Sequence, residues 1–278
     1  MQTEDFSIYN GEGTQLRKAQ LRLLEILKEI DKVCKKHNIT YWLDGGTMIG
    51  SARHKGFIPW DDDLDIAVFE EDYEPLLSIL QQELPSQYHV EWPGNNKNFA
   101  MNFAKVVDSS TLIYQDDAEW TPRAGIMGLW VDIFPMTHGN RPIRKIVEPL
   151  YGRCFRQIRN FETNKYKKIL AYLLYPVALM VLGLGKFASI FVSKDKYVNT
   201  YGTGNADTQN ATRHRSWTIP TIDMEFEGGM FPMPCNYDAI LTAMYGNYMQ
   251  IPPKDKRITH LMKFISIDEP KEKKENNE

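Results

Sequence analysis

Residues 44–65 read DGGTMIGSARHKGFIPWDDDLD. The glycine turn Gly45-Gly46-Thr47 follows a short β-rich run at 39–43 and leads into a helical stretch at 48–54. A strand that ends in such a turn and enters a helix is a common way to meet a phosphate. Glycine lets the backbone approach closely, and the helix start offers N–H groups. One helix later come Arg53, His54 and Lys55, cations able to hold a diphosphate. For Arg53 and Lys55 the alternative is a solvated helix end. For His54 three roles stand open: base, phosphate donor or packing.

The stretch closes on four carboxylates in five residues, Asp61, Asp62, Asp63 and Asp65. Such crowding is costly unless a cation neutralises it. The alternation DLDIAVF at 63–69 reads as a half-buried strand, which would turn Asp63 and Asp65 to one face. Paired carboxylate oxygens of this kind suit Mg²⁺ or Mn²⁺. A third ligand is expected at Asp132, the lone acid in the apolar run LWVDIFP. An Asp in such a run is either a ligand or an expensive buried charge. Asp63, Asp65 and Asp132 are thus the expected metal ligands, with Asp61 and Asp62 capping the turn or standing behind them. Trp60 either stacks on a base or a choline-like cation or packs in the core. The six histidines show no metal spacing.

Outward from this centre, apolar residues at helical spacing predict a helix over 14–37 with Thr14 as N-cap. A second helix is expected at 70–84, then β-rich segments at 88–92, 99–107 and 126–134. Residues 14–135 form the expected mixed α/β core. Residues 136–265 form a helical C-terminal extension, helical over 141–200 and loop-rich over 203–230, with a short helical pattern at 236–248. Residues 266–278 form a mixed-charge tail expected to be disordered. Within the extension, residues 169–185 (ILAYLLYPVALMVLGLG) are uncharged and flanked by lysines. Three readings stand: a buried or hairpin helix, a helix in the membrane interface, or a span.

The net charge of −3 over 278 residues argues against a nucleic-acid partner, which asks for a basic stripe. Three scattered cysteines give neither a disulfide framework nor a zinc cluster, which fits a reducing compartment. The polar N-terminus has no apolar core of a signal peptide, so a cytoplasmic location is expected, at the inner face of the membrane if 169–185 touches it.

The glycine turn, the Asp-apolar-Asp run and the later apolar-Asp-apolar strand resemble the nucleotidyltransferase superfamily. The unbroken string RHKGFIPWDDD, from Arg53 to Asp63, resembles the LicD family, which includes fukutin and the fukutin-related protein. KVVDSST at 105–111, the strand at 128–135, FPMP at 231–234, Tyr237, Leu241, Tyr245-Gly246 and Pro252-Pro253 match further family segments in order. Asn247 stands where the family often has Asp, and residues 140–225 match nothing in it.

The resemblance implies a nucleotidyltransferase-like mixed sheet flanked by helices. It also implies transfer of a substituted phosphoryl group from a CDP-linked donor to a sugar hydroxyl. The acceptor would be a cell-surface glycan or its lipid-linked precursor, and CMP would leave. Gly45, Gly46 and Thr47 would cradle phosphate, with Arg53, Lys55 and Lys105 neutralising it. Asp132 is also a candidate to take the hydroxyl proton, and Arg257 and His260 to reach the site from the C-terminal segment. The alternatives are a nucleotidyltransferase that releases diphosphate and a non-catalytic binding module.

Overall fold

A computed structural model describes residues 5–114, 128–160, 163–199, 211–257, 259 and 264–266. The helices are α1 (Ser7–Asn10), α2 (Gln15–His37), α3 (Gly45–His54), α4 (Glu70–Glu83), α5 (Arg141–Arg159), α6 (Lys165–Ser189), α7 (Arg215–Thr218) and α8 (Tyr237–Tyr245). The strands are β1 (Tyr41–Leu43), β2 (Asp65–Phe69), β3 (Tyr88–Glu91), β4 (Ala104–Asp108), β5 (Leu112–Tyr114) and β6 (Trp130–His138). After them come β7 (Lys196–Asn199), β8 (Arg213–His214), β9 (Ile222–Phe226), β10 (Gly229–Met233) and β11 (Phe264–Ser266). The fold is the expected mixed α/β arrangement.

The main sheet runs β1-β2-β6-β4-β3, with β7 on β6 and β8 on β7. β2 and β6 are parallel, and their register sets Asp65 opposite Asp132. Parallel strands at the middle of a sheet are covered on both faces, which fits the fully buried DIAVF of β2. α2 is one of the covering helices. Thr14 caps it by accepting the Arg17 N–H, and its apolar stripe places Leu23, Ile26, Leu27 and Ile30 wholly out of solvent. Burying each such side chain is worth about 1.5–3 kcal/mol.

Three features depart from the sequence-based expectation. β2 begins at Asp65, so Asp63 lies just before the strand. The reason is the ladder: β2 first pairs β6 at Asp65↔Asp132. Secondly, the expected boundary at 135 falls inside β6. The extension is not all helical, since β7 and β8 complete the main sheet. Thirdly, the stretch read as loop contains the β9–β10 hairpin, turned at Glu227-Gly228 with both φ positive (51° and 71°). That is the geometry two-residue hairpin turns favour. Residues 126–127, 203–210 and 260 and the tail beyond 266 lie outside the described residues, as do the expectations that fall on them.

Candidate active site

α3 starts on the glycines themselves. Gly45 has φ +55°, and a Cβ there would fall 2.5 Å from Asp65 Oδ2. A Cβ on Gly46 would fall 2.7 Å from Asp61 Oδ2. Both glycines therefore leave room for carboxylates of the chain itself, at the helix end where the backbone dipole favours negative charge. Thr47 ties the same corner, its Oγ1 accepting the Asp65 N–H at 2.8 Å. The Asp44 N–H donates to the Asp65 carbonyl at 3.0 Å. Gln20 steadies the acidic loop from α2 by donating to the Asp61 carbonyl at 2.8 Å.

Asp65 is buried, and its carboxyl is pushed well above the usual carboxylate range. Burial is the main cause, followed by the charges of Asp63, Asp132, Asp44 and Asp61. Asp132 is raised as well, by burial, against the pull of Lys105. Lys105 lies opposite Asp132 in the β4–β6 ladder and donates to its Oδ1 at 2.5 Å. Its Nζ sits 4.1 Å from the centre of the Trp130 ring. Lys105 is only 3% exposed, and burial lowers its pKa. Among the described residues, no three His, Cys, Asp or Glu side chains stand close enough together to hold a metal ion as arranged. Asp65 and Asp132 are neighbours, and Asp63 reaches Asp65 through its charge, but the three do not close into a cage.

The other expected residues cluster elsewhere. Arg53, His54 and Lys55 lie at the far end of α3, roughly 13 Å along the axis from its first residues. Arg53 donates to the Tyr248 carbonyl at 2.6 Å and to His54 Nε2 at 2.9 Å. His54 packs edge-on to Phe6 and Trp60, and burial, with Arg53 second, lowers its pKa to about 4. Lys55 is exposed and pairs with Glu225 at 3.1 Å. Trp60 is buried under Phe6 and Tyr9, with the Arg257 guanidinium 4.9 Å from its ring centre. Gly56 leaves room for Glu227, which accepts from Phe57 N at 3.0 Å and from Arg17 at 2.6 Å. Much of the RHKGF string thus locks the end of α3 to α2, to the β9–β10 turn and to the C-terminal segment.

Four residues have no role in the sequence reading. Asp44 is fully buried, and its Oδ1 accepts from Arg213 Nη1 at 2.6 Å, also out of solvent. The Tyr245 hydroxyl is buried with no hydrogen-bond partner among the described residues. Its pKa is raised by burial and then by the charges of Asp44 and Asp65, which sets it beside the acidic cluster. The Tyr73 hydroxyl is likewise buried near Asp132, and the residue lines a cavity of about 580 Å³ together with Tyr151 and Phe155 of α5. Arg213 has no periodic or motif signal, whereas Tyr245 belongs to the Tyr-Gly pair at 245–246.

Residues 38–161 match the sequence profile described as LicD/FKTN/FKRP, nucleotidyltransferase domain. The lipopolysaccharide cholinephosphotransferase LicD of Haemophilus influenzae is 28% identical over 256 residues, 88% of this chain and 95% of that protein. The ribitol 5-phosphate transferase FKRP of Mus musculus is 38% identical over 69 residues, 24% of this chain and 14% of that protein. The ribitol-5-phosphate transferase FKTN of Mus musculus is 32% identical over 96 residues, 34% of this chain and 18% of that protein.

Proposed function

As a member of the LicD family, the chain is a phospho-group transferase, and we propose that it moves a substituted phosphoryl group from a CDP-linked donor to a sugar hydroxyl. The group is phosphocholine or a related phospho-alcohol or phosphonate. The acceptor is a cell-surface glycan or its lipid-linked precursor, met at the inner face of the cell membrane. The observation that carries this reading is the pairing of Asp65 with Asp132 on adjacent strands, against the glycine start of α3.

The carboxylate cluster fits a divalent ion in its chemistry. Its donors are hard oxygens, and the mutual repulsion that raises Asp65 is what an added cation relieves. Asp63, Asp65 and Asp132 are the residues to hold Mg²⁺ or Mn²⁺, which would neutralise the donor diphosphate. The chain's own side chains do the rest. Asp132, whose burial strengthens its hold on a proton, takes the proton of the acceptor hydroxyl. The hydroxyl oxygen bonds to the distal phosphorus, the bond from that phosphorus to the bridging oxygen breaks, and CMP leaves. Lys105 holds Asp132 in place through Oδ1 and supplies positive charge from within the sheet. His54, neutral and packed, is not needed as a base.

The test is incubation of the purified protein with CDP-choline, CDP-ribitol and CDP-glycerol, with Mg²⁺ and with or without glycan acceptors. Acceptor-dependent CMP release with one donor is the expected result. Release of diphosphate from a nucleoside triphosphate, with no CMP from any CDP-alcohol, contradicts the reading.

A further inference from the structure

α6 is a 25-residue helix long and apolar enough to cross a membrane, yet only 17% of its most apolar stretch is buried. A core helix of a soluble domain would be mostly buried. The helix packs through one narrow seam. Ala171, Ala178 and Gly185 recur every seven residues and are buried, Ala171 and Ala178 beside Cys154 and Gly185 against Val147 of α5. Opposite that seam, Ile169, Leu173, Val177, Met180, Leu184 and Phe187 recur at three- and four-residue spacing, which places them on one face. All six are exposed, Leu173 by 71% and Leu184 by 62%. Soluble chains rarely leave so long an apolar stripe in water.

Charge indicates what covers it. From 163 to 194 the chain has five lysines (Lys165, Lys167, Lys168, Lys186 and Lys194) and no acidic residue. A second copy packed along this helix would bring its lysine-bearing ends together, like charge against like. An anionic lipid surface satisfies the stripe and the lysines at once.

Topology decides how the helix meets that surface. α5 leaves the sheet at the end of β6, and α6 returns to it at β7. A span by α6 would carry the α5–α6 turn to the far side and draw α5 into the hydrocarbon. α5 carries Arg144, Lys145, Glu148, Arg153, Arg156 and Arg159, so it cannot follow.

We propose that α6 lies in the plane of an anionic bilayer, its Ile169–Phe187 stripe in the acyl boundary and Lys165, Lys167 and Lys168 among the headgroups. A cleft of about 130 Å³ between Leu182 and Lys186 of α6 and Thr137 of β6 shares Thr137, Asn102 and Tyr151 with the larger cavity that Tyr73 lines. The docking does not rest on the phosphoryl-transfer reading.

The test is co-sedimentation of the full chain with vesicles of phosphatidylcholine, with and without one third phosphatidylglycerol, in the absence of donor and acceptor. Binding to the anionic vesicles is expected, weakened by high salt. It should fall at least tenfold in the exposed double variant Leu173→Glu/Leu184→Glu and in Lys165→Glu/Lys167→Glu/Lys168→Glu. Unchanged melting temperatures for both variants keep misfolding out of the result. No binding by the wild type, or a dimer in light scattering that the same substitutions dissolve, overturns the proposal. CMP release with a soluble acceptor is measured separately, so failure of either idea leaves the other readable.

Discussion

His54 shows how far residue type and role can diverge. Its imidazole sits between Phe6 and Trp60, accepts from Arg53 and has its pKa lowered from 6.5 to about 4. Because the folded-state value lies below the unfolded one, the neutral ring stabilises the fold above pH 6.5. That contribution is lost as pH falls from there towards 4. Discounted for partial solvent access, the effect is about 1–2 kcal/mol. Urea unfolding between these pH values should show the slope in the wild type and lose it in His54→Gln. The same variant should keep turnover within about tenfold, because the ring lies at the opposite end of α3 from the carboxylates. A hundredfold loss of kcat with unchanged stability would return His54 to the chemistry. Trp60 follows the same pattern: Phe6, Tyr9 and Arg257 pack against its ring.

At the scale of elements, α3 is the part to which the site owes most. Its start was legible as a glycine turn, but the reason for the glycines was not. A sequence does not reveal that Asp65 and Asp61 fold back against that turn, since the contact depends on the β2–β6 register. Gly45→Ala should therefore do two things. It places a Cβ at φ +55° and drives it into the Asp65 carboxylate. The left-handed conformation alone costs about 1–2 kcal/mol, and turnover should fall on the order of a hundredfold as Asp65 is displaced. Differential scanning calorimetry and CMP release read the two effects separately. A variant with normal activity would show that the Asp65 position is not critical.

α2, by contrast, was readable almost to the residue, because an amphipathic stripe and an N-cap are local signals. The strands β7 to β10 were missed for the opposite reason. β7, four residues long, owes its existence to pairing with a distant β6, and β8, two residues long, to pairing with β7.

At the scale of the whole molecule, the chain after β6 is part of the site. β7 and β8 extend the sheet, Arg213 of β8 meets Asp44 before α3, and Tyr245 of α8 stands beside the same acidic cluster. Removing Arg213 leaves Asp44 as an unpaired buried charge. Arg213→Met should accordingly cost about 3–5 kcal/mol. Asp44→Asn combined with Arg213→Met should regain most of it, since no buried charge then remains. Chemical denaturation of the two single variants and the double variant gives the coupling directly. Additive losses would mean that the pair is not a unit. This long-range pair also explains why the candidate site was only half visible beforehand: Asp63, Asp65 and Asp132 stood out as acids in apolar or crowded runs, whereas Arg213 carries no local mark.

The most direct single measurement is CMP release by Asp65→Asn beside the wild type, with Mg²⁺ and the donor that the wild type uses. Turnover should fall on the order of a thousandfold, while the melting temperature stays the same or rises, because a buried carboxyl repelled by its neighbours has been neutralised. Full turnover in a folded Asp65→Asn protein would mean that the chemistry takes place somewhere other than between β2 and β6.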